Sequence, residues 1–238
     1  MAGVLYNKTK GGVSVIDINT LGVLYVVSAD ASIQSVADLK GKTVYLTGKG
    51  TTPDYVARYL TAANGLTEED VTFEYKSEPA EVAAVLKEKS DAIGLLPQPF
   101  VTAACAQNEA LQIVLNLTEE WDKLQSGDGS RMVTGVTIVR SDFLAENEDA
   151  VKGFMADHKA SAEAVNANPD EAAEQIAALG IIEKAPIAKK ALPYCNITYI
   201  DGAEMKSALS GYLSVLFDQN PASVGGALPA DDFYYAAE

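Results

Sequence analysis

Short apolar runs alternate with amphipathic segments through the first half of the chain. The runs have the length and residue types of strands, and the apolar residues between them recur at helical spacing. The predicted strands are 43–47, 71–75, 91–96 and 111–117, and the predicted helices are 53–64, 79–89 and 99–108. Strand–helix–strand order at this spacing is typical of a parallel sheet with helices on both faces. Residues 35–117 are therefore predicted to form one compact α/β lobe.

The flanking regions have a different character. Residues 2–9 predict a helix, 13–18 alternate weakly like a strand, and 21–27 are nearly all apolar, as in a strand buried on both faces. A strand at 133–139 is followed by a mostly helical half. The helices predicted there are 142–146, 148–167, 170–179, 186–192 and 204–219. The Gly/Pro-rich tail is expected to be anchored by its aromatic residues, from Phe233 to Tyr235.

Charge and composition exclude several classes of function. The 238 residues suffice for one large domain or two lobes, and 48% hydrophobic with 21% charged residues is typical of a globular protein. A formal charge of −15 argues against binding nucleic acid, because no basic patch neutralises phosphates, and gives no support for binding an anionic membrane surface. No apolar run reaches the ~18–20 residues of a membrane span.

The sequence offers little chemistry for catalysis. Cys105 and Cys195 do not form a zinc-binding Cys-x-x-Cys pair, and we expect two separate buried thiols, since a disulfide would need both in one lobe. The single histidine, His158, lies in a helix next to Asp157 and Lys159, is predicted to be solvent-exposed and excludes a multi-histidine metal site. The acidic clusters receive no catalytic role. No metal and no cofactor is predicted.

Turns at the carboxyl ends of the predicted strands are the candidate ligand site, because open α/β sheets bind ligands there. The segment Gly48-Lys-Gly-Thr-Thr-Pro53 joins a strand to a helix, and its glycines and helix N-terminus could hold an anion. An ordinary strand-to-helix connection explains the same pattern. Gln98, between two prolines, offers a donor and an acceptor, and Trp121 offers a large amphipathic wall.

Four segments then follow one another in an order that resembles a known family. They are Asn19–Val27, Ser35-Val-Ala-Asp-Leu-Lys-Gly-Lys-Thr43, Gly48-x-Gly-x-Thr-Pro53 and Leu95-Leu-Pro-x-Pro-Phe100. This series resembles the substrate-binding proteins of ABC importers, in the group that binds nitrate, taurine, alkanesulfonates and pyrimidine thiamine precursors. One departure is Gln98, where many relatives carry an acid.

The resemblance implies the type II periplasmic-binding-protein fold, an α/β architecture in which two lobes are joined by two crossing segments and close on the ligand. Lobe 2 would span residues 33–118, and lobe 1 would comprise 1–28 plus 133–238. The hinge segments would be 28–33 and 118–135, which include the Gly/Ser-rich stretch from Gln125 to Ser130.

The chain begins inside what resembles a later helix of lobe 1. We therefore expect an N-terminally truncated lobe 1, through either a shortened form of the protein or a misplaced start codon, with exposed apolar edges that a homodimer could cover. The full-length form is expected to be extracytoplasmic, in the periplasm or as a membrane-anchored lipoprotein. No signal peptide is recognisable in this sequence.

The function implied by the resemblance is non-enzymatic capture of a small organic molecule or anion for ABC permease subunits. The ligand-binding residues predicted for this function are Thr20, Gly22, Gly48, Gly50, Thr51, Thr52, Gln98 and Trp121. Two alternatives stay open. One is a pyrimidine-synthesis-type enzyme on the same fold, which would need catalytic residues such as metal-binding histidines, and the other is the ligand-sensing domain of a receptor.

Overall fold

The computed structural model describes residues 1–125 and 129–236. Ten α-helices are defined in these ranges: α1 (Ala2–Thr9), α2 (Thr52–Ala63), α3 (Pro79–Glu88), α4 (Phe100–Gln107), α5 (Leu117–Leu124), α6 (Ser141–Glu146), α7 (Glu148–Ala167), α8 (Pro169–Ala178), α9 (Ala185–Ala191) and α10 (Gly202–Gln219). The strands in the same ranges are β1 (Val13–Leu21), β2 (Leu24–Ser28), β3 (Thr43–Thr47), β4 (Thr72–Lys76), β5 (Ile93–Pro97), β6 (Gln112–Asn116), β7 (Val133–Arg140) and β8 (Ile197–Ile200). The predicted α/β class is confirmed.

The chain folds into two compact units. Unit 1 contains Met1–Gly22, Gln125–Gln175 and Asn196–Glu238, and unit 2 contains Val23–Leu124 and Ile176–Cys195. These boundaries differ from those of the predicted lobes. The prediction placed β2 and the segment around α9 in lobe 1 and most of α5 in a hinge, whereas all three belong to unit 2. The predicted hinge 118–135 begins within a helix of unit 2, and its residues 126–128 lie outside the described part of the chain.

Unit 2 is built on a five-stranded mixed sheet with the order β4-β3-β5-β2-β6. Strands β3, β4 and β5 are parallel, and β2 runs antiparallel to both β5 and β6. The prediction of a purely parallel sheet is therefore wrong at β2, which we had assigned to lobe 1. An apolar run buried on both faces fits the middle of any sheet, and here β2 bonds to strands about 70 and 90 residues later in the chain.

The core of unit 2 lies between this sheet and its helices. Val82 and Leu86 of α3 are completely buried and pack on β5 at Gly94. A Cβ at position 94 would lie 2.8 Å from Leu86 Cδ1, so the glycine allows the helix to approach the sheet this closely. Tyr25 of β2 is also buried, and its hydroxyl donates a hydrogen bond of 2.8 Å to the carbonyl oxygen of Tyr194.

Unit 1 contains a three-stranded antiparallel sheet with the order β7-β1-β8. Helix α7 packs on it and buries Val151 and Met155 against Ile16 of β1. The tail is anchored as predicted: Phe233 is fully buried, and its ring lies 5.1 Å from the ring of Tyr6 on α1. Among the described helices, none combines the length and apolar character that a bilayer crossing needs.

Candidate functional site

The strand directions in unit 2 bring several polar turns to one edge of its sheet. Strands β3, β5 and β6 share one direction, so the turns that follow them lie at the same edge, together with the start of the antiparallel β2. The backbone links two of these segments directly, since the Gln98 N–H donates to the carbonyl oxygen of Val23 at 3.0 Å. Six of the eight predicted ligand-binding residues lie in these turns or in the helices that follow them.

Gln98 follows β5 and is 8% exposed. Its Oε1 accepts hydrogen bonds from the Thr102 hydroxyl at 2.9 Å and from the Thr102 N–H at 3.3 Å. These two donors fix the orientation of the amide, because only the oxygen can accept. The Nε2 atom is buried and has no hydrogen-bond partner among the described residues. Gln98 therefore offers two N–H donors that the described residues leave unpaired.

The turn after β6 contributes a second unpaired polar atom. Thr118, in the first turn of α5, is 8% exposed, and its Oγ1 is buried with no partner in the described part of the protein. Its backbone N–H is already bonded to Asn116 Oδ1 at 3.1 Å. Our prediction did not include Thr118, although a hydroxyl directly after a strand at this edge was a usable signal.

Trp121 lies inside unit 2. Its side chain is fully buried, and its ring lies 4.7 Å from that of Tyr59 on α2. The tryptophan thus packs α5 against α2. A direct contact between Trp121 and a ligand stays a prediction.

The turn between β3 and α2 has the backbone conformation that its glycines predict. Gly48 and Gly50 have positive φ angles of 73° and 72°. The carbonyl oxygen of Gly48 accepts from the Thr51 N–H at 2.8 Å and from the Thr51 hydroxyl at 2.5 Å. Thr51 is exposed and Thr52 is half-buried at the start of α2.

Asp54 changes the interpretation of this turn as an anion site. Its carboxylate accepts hydrogen bonds from the Gly50 N–H at 2.7 Å, Arg58 Nε at 2.7 Å and the Tyr75 hydroxyl at 2.6 Å. Burial by itself raises the pKa of Asp54, but the hydrogen bonds from Tyr75, Gly50 and Arg58 outweigh it, so this pKa lies below its ordinary value of 3.8. The protein's own carboxylate already occupies the N–H that a bound anion would use.

Thr20 and Gly22 belong to unit 1. Thr20 lies in β1, where it pairs with Gly135 of β7 and Ile197 of β8, and its hydroxyl donates to Asn19 Oδ1 at 2.9 Å. Gly22 is buried, and its carbonyl oxygen accepts a hydrogen bond from the side-chain amide of Asn196. The structure thus divides the predicted site residues between the units, two in unit 1 and six in unit 2.

The prediction that His158 is simply solvent-exposed is wrong. Its side chain is 26% exposed, and Nδ1 lies 3.1 Å from Oδ2 of Asp17, which is completely buried in β1. The imidazole ring also lies 5.4 Å from the ring of Phe154 and 5.9 Å from that of Tyr199. The residues next to His158 in the sequence gave no sign of Asp17, which precedes it by 141 positions.

Both cysteines are free and half-buried, as separate thiols. Burial raises the pKa of the Cys105 thiol and of the Cys195 thiol above 9.0, which leaves little thiolate at neutral pH. Neither thiol has the electropositive surroundings of an activated nucleophile, because burial is what shifts each pKa.

Several known proteins resemble the chain over nearly its whole length. A protein from Brucella abortus (strain 2308) and one from Brucella suis biovar 1 (strain 1330), both named as binding proteins, are 24% identical over 239 residues, which cover 98% of this chain and 72% of each relative. An ABC transporter protein from Parabacteroides distasonis superposes with a TM-score of 0.82 at 24% identity, covering all of this chain and 78% of the other.

The periplasmic aliphatic sulphonate binding protein SsuA from Escherichia coli superposes with a TM-score of 0.74 at 17% identity, covering 99% of this chain and 73% of that protein. These similarities confirm the predicted periplasmic-binding-protein fold. The family model described as NMT1/THI5 like matches residues 12–172, more than half of the chain. The chain therefore belongs to the NMT1/THI5-like family.

Proposed function

We propose that this protein is the solute-binding component of an ABC importer, which captures a small molecule outside the cytoplasm and delivers it to the permease subunits. The observation that carries the proposal is Gln98. A buried donor without a partner costs roughly 1–3 kcal/mol, and native proteins rarely retain one unless something else bonds to it. A bound solute with a hydrogen-bond acceptor would satisfy Gln98 Nε2.

Thr118 supports the same proposal. Its buried hydroxyl lies in the turn after β6, at the edge of the sheet where Gln98 follows β5, and it also lacks a partner in the described residues. Two unpaired polar atoms at the carboxyl edge of one sheet fit the few convergent polar groups by which binding sites orient a ligand. The names of the relatives, a periplasmic sulphonate-binding protein among them, agree with this assignment.

The remaining predicted residues receive the following roles. The turn from Gly48 to Thr52, which includes Gly50 and Thr51, contacts the solute. Trp121 supports this turn by packing against α2. Thr20 and Gly22, in unit 1, stay predicted ligand-binding residues. Because Asp54 occupies the turn, we assign recognition of the solute's acceptor to Gln98 and not to the N-terminus of α2.

A thermal-shift screen tests the proposal with four solute classes: sulfonates, nitrate, bicarbonate and pyrimidines. A true ligand at a hundred times its Kd stabilises the folded protein by about 2.7 kcal/mol. The substitution Gln98→Glu keeps the oxygen that Thr102 holds but replaces the donor by a second acceptor. Because burial raises the pKa of a carboxyl group, the affinity is followed as the pH rises from 7 to 9, and binding should become about 10- to 100-fold weaker than in wild type as ionisation removes the donor.

Gln107→Glu is the matched control, since it makes the same charge change at an exposed position at the end of α4. It should leave the affinity within about twofold of wild type, because salt screens the charge of a solvent-exposed side chain. Stabilisation by none of the four classes would contradict the proposal, as would wild-type affinity in Gln98→Glu. Turnover of a bound pyrimidine would instead support the enzyme alternative.

A further inference from the structure

A second cleft lies in unit 2, at the edge of the sheet opposite to Gln98. Strand β2 ends at this edge, and the parallel strands β3 and β5 begin here. The cleft has a volume of about 540 Å³, which is within the range of small-molecule sites. Strand β5 separates it from Gln98 by a length of roughly 16 Å, since each residue of a strand adds about 3.3 Å.

Tyr45 of β3 lines this cleft and has a hydroxyl proton with no acceptor among the described residues. The residue is 7% exposed and belongs to the same core cluster as Val82 and Leu86 of α3. Lys89 Nζ lies 2.9 Å from the hydroxyl oxygen and must donate to it, because an ammonium group has no lone pair. The O–H of Tyr45 is therefore left as a donor for another group.

Lys89 brings a positive charge to the same cleft. It forms no ion pair within the described part of the chain, and its Nζ retains two N–H donors beside the bond to Tyr45. That bond raises the pKa of Lys89, and the charges of Glu74 and Asp91 also raise it, so the side chain is an ammonium group at neutral pH. Together, Lys89 and Tyr45 offer the charge and the donors that bind a carboxylate.

Asp91 supplies a charge of the opposite sign. Its side chain lines the cleft, is exposed and has no bonded partner in residues 1–125 and 129–236. The charges of Asp91 and Lys89 attract each other, yet the two side chains do not form an ion pair. The other charged groups of the lining, Asp30 and Lys42, neutralise one another at 3.0 Å. The charges left without a partner are thus one ammonium group and one carboxylate.

We propose that this cleft binds an α-amino acid as a zwitterion, with its carboxylate at Lys89 and Tyr45 and its ammonium group at Asp91. A simple anion or a simple amine would leave one of the two charges of the cleft unmatched. The cleft is also lined by the apolar residues Ala29, Ala92 and Ile93. An apolar side chain on the amino acid therefore fits. The inference does not depend on the proposed solute-binding function.

Isothermal titration with leucine and two analogues tests whether both charges are recognised. The analogue 4-methylpentanoate lacks the ammonium group of leucine, and 3-methylbutylamine lacks its carboxylate. Leucine should bind wild type at least about tenfold more tightly than either analogue, because each analogue loses a hydrogen bond between charged groups. An analogue that binds as tightly as leucine would contradict the proposed pairing.

Variants of the two charged residues assign each charge of the ligand to its partner. Lys89→Gln should weaken leucine binding about tenfold and remove its advantage over 3-methylbutylamine, because the carboxylate has then lost its charged partner. Asp91→Asn should remove the advantage over 4-methylpentanoate in the same way. The matched controls are Lys87→Gln and Glu88→Gln, which make the same charge changes at exposed positions of α3 outside the lining. Both controls should leave the affinity within about twofold of wild type.

Tyr45→Phe isolates the contribution of the hydroxyl group, since the ring that fills the core is kept. It should weaken leucine binding severalfold and leave 3-methylbutylamine unaffected. Urea unfolding followed by the fluorescence of Trp121 verifies that unit 2 is folded in each variant.

Three results would overturn the inference. They are the absence of leucine binding to folded wild type, equal losses in Lys89→Gln and Lys87→Gln, and a leucine affinity that falls in Gln98→Glu but not in Lys89→Gln. In the last case leucine would bind at the opposite edge of the sheet, which would support the proposed solute-binding function. Failure of the four-class solute screen would leave the leucine result unchanged, so the two proposals can fail separately.

Discussion

Replacing Asp54 should destabilise unit 2 far more than replacing the other carboxylate that binds the same arginine. Arg58 bonds to Asp54 at 2.7 Å and to Glu68 at 2.5 Å, so the two pairs have similar geometry. They differ in burial: the side chain of Asp54 is 6% exposed, and that of Glu68 is 84% exposed. The comparison therefore contrasts a buried, multiply bonded partner of the guanidinium with an exposed one.

The magnitude follows from the bonds that are lost. Asp54→Ala removes three hydrogen bonds to a charged group, each worth about 1.5–3 kcal/mol before compensation. Arg58 is one-third exposed and retains Glu68, so water and the remaining carboxylate recover part of this energy. The Gly50 N–H and the Tyr75 hydroxyl lose their acceptor. We expect a loss of about 3 kcal/mol for Asp54→Ala and within about 0.5 kcal/mol for Glu68→Ala.

Urea denaturation followed by tryptophan fluorescence measures both variants. Trp121 is the only tryptophan and lies in the same unit as Asp54, packed on α2. Its emission therefore reports the unfolding of this unit. Equal free energies of unfolding for Asp54→Ala and Glu68→Ala would refute the reasoning.

The pH dependence gives a second test of the same idea. Because the pKa of Asp54 is lower in the folded protein than its ordinary value of 3.8, its stabilising contribution is complete above that value and is lost as the pH falls through the folded pKa. The difference in unfolding free energy between wild type and Asp54→Ala should therefore be constant from pH 5 to 7 and decrease below about 3.8. A difference that stays unchanged at pH 3 would contradict the hydrogen-bonded carboxylate.

Two further predictions concern the core of unit 2. Gly94→Ala should cost about 1–3 kcal/mol in the urea experiment, because the new methyl would overlap Leu86 and Val82 of α3, and a wild-type midpoint would show that the helix can move away. Cys105 and Cys195 should react with iodoacetamide at pH 7 much more slowly than free cysteine, because burial raises both pKa values, and urea should restore fast labelling. Rapid labelling of the folded protein would contradict this.

Much of the secondary structure could be predicted because single segments carry its signal. The strand predicted at 43–47 is Thr43–Thr47, and the helix predicted at 148–167 is Glu148–Ala167. In both cases the apolar spacing is continuous and the ends are marked by local residues, such as Gly48 and the Asn168-Pro169 pair. Local patterns of this kind need no knowledge of the rest of the fold.

Pairing between distant segments could not be predicted in the same way. The run Leu24–Ser28 is nearly all apolar, which indicates burial but specifies neither the partner strand nor the pairing register. His158 shows the same limit for side chains, because its partner Asp17 is on a strand far away in the sequence. At the candidate site, the order of strands predicted Gln98 as a ligand residue, but the fixed orientation of its amide depends on Thr102 and became visible only in the structure.

The proposed contact at Gln98 has a property that bears on affinity. Thr102 fixes the amide of Gln98, so its hydrogen-bonding direction is set before a solute arrives. Binding then need not order this side chain, which would otherwise cost about 0.5–1.5 kcal/mol. The same rigidity selects against solutes of the wrong polarity, because the amide cannot turn to accommodate them and a buried mismatch leaves an unpaired atom.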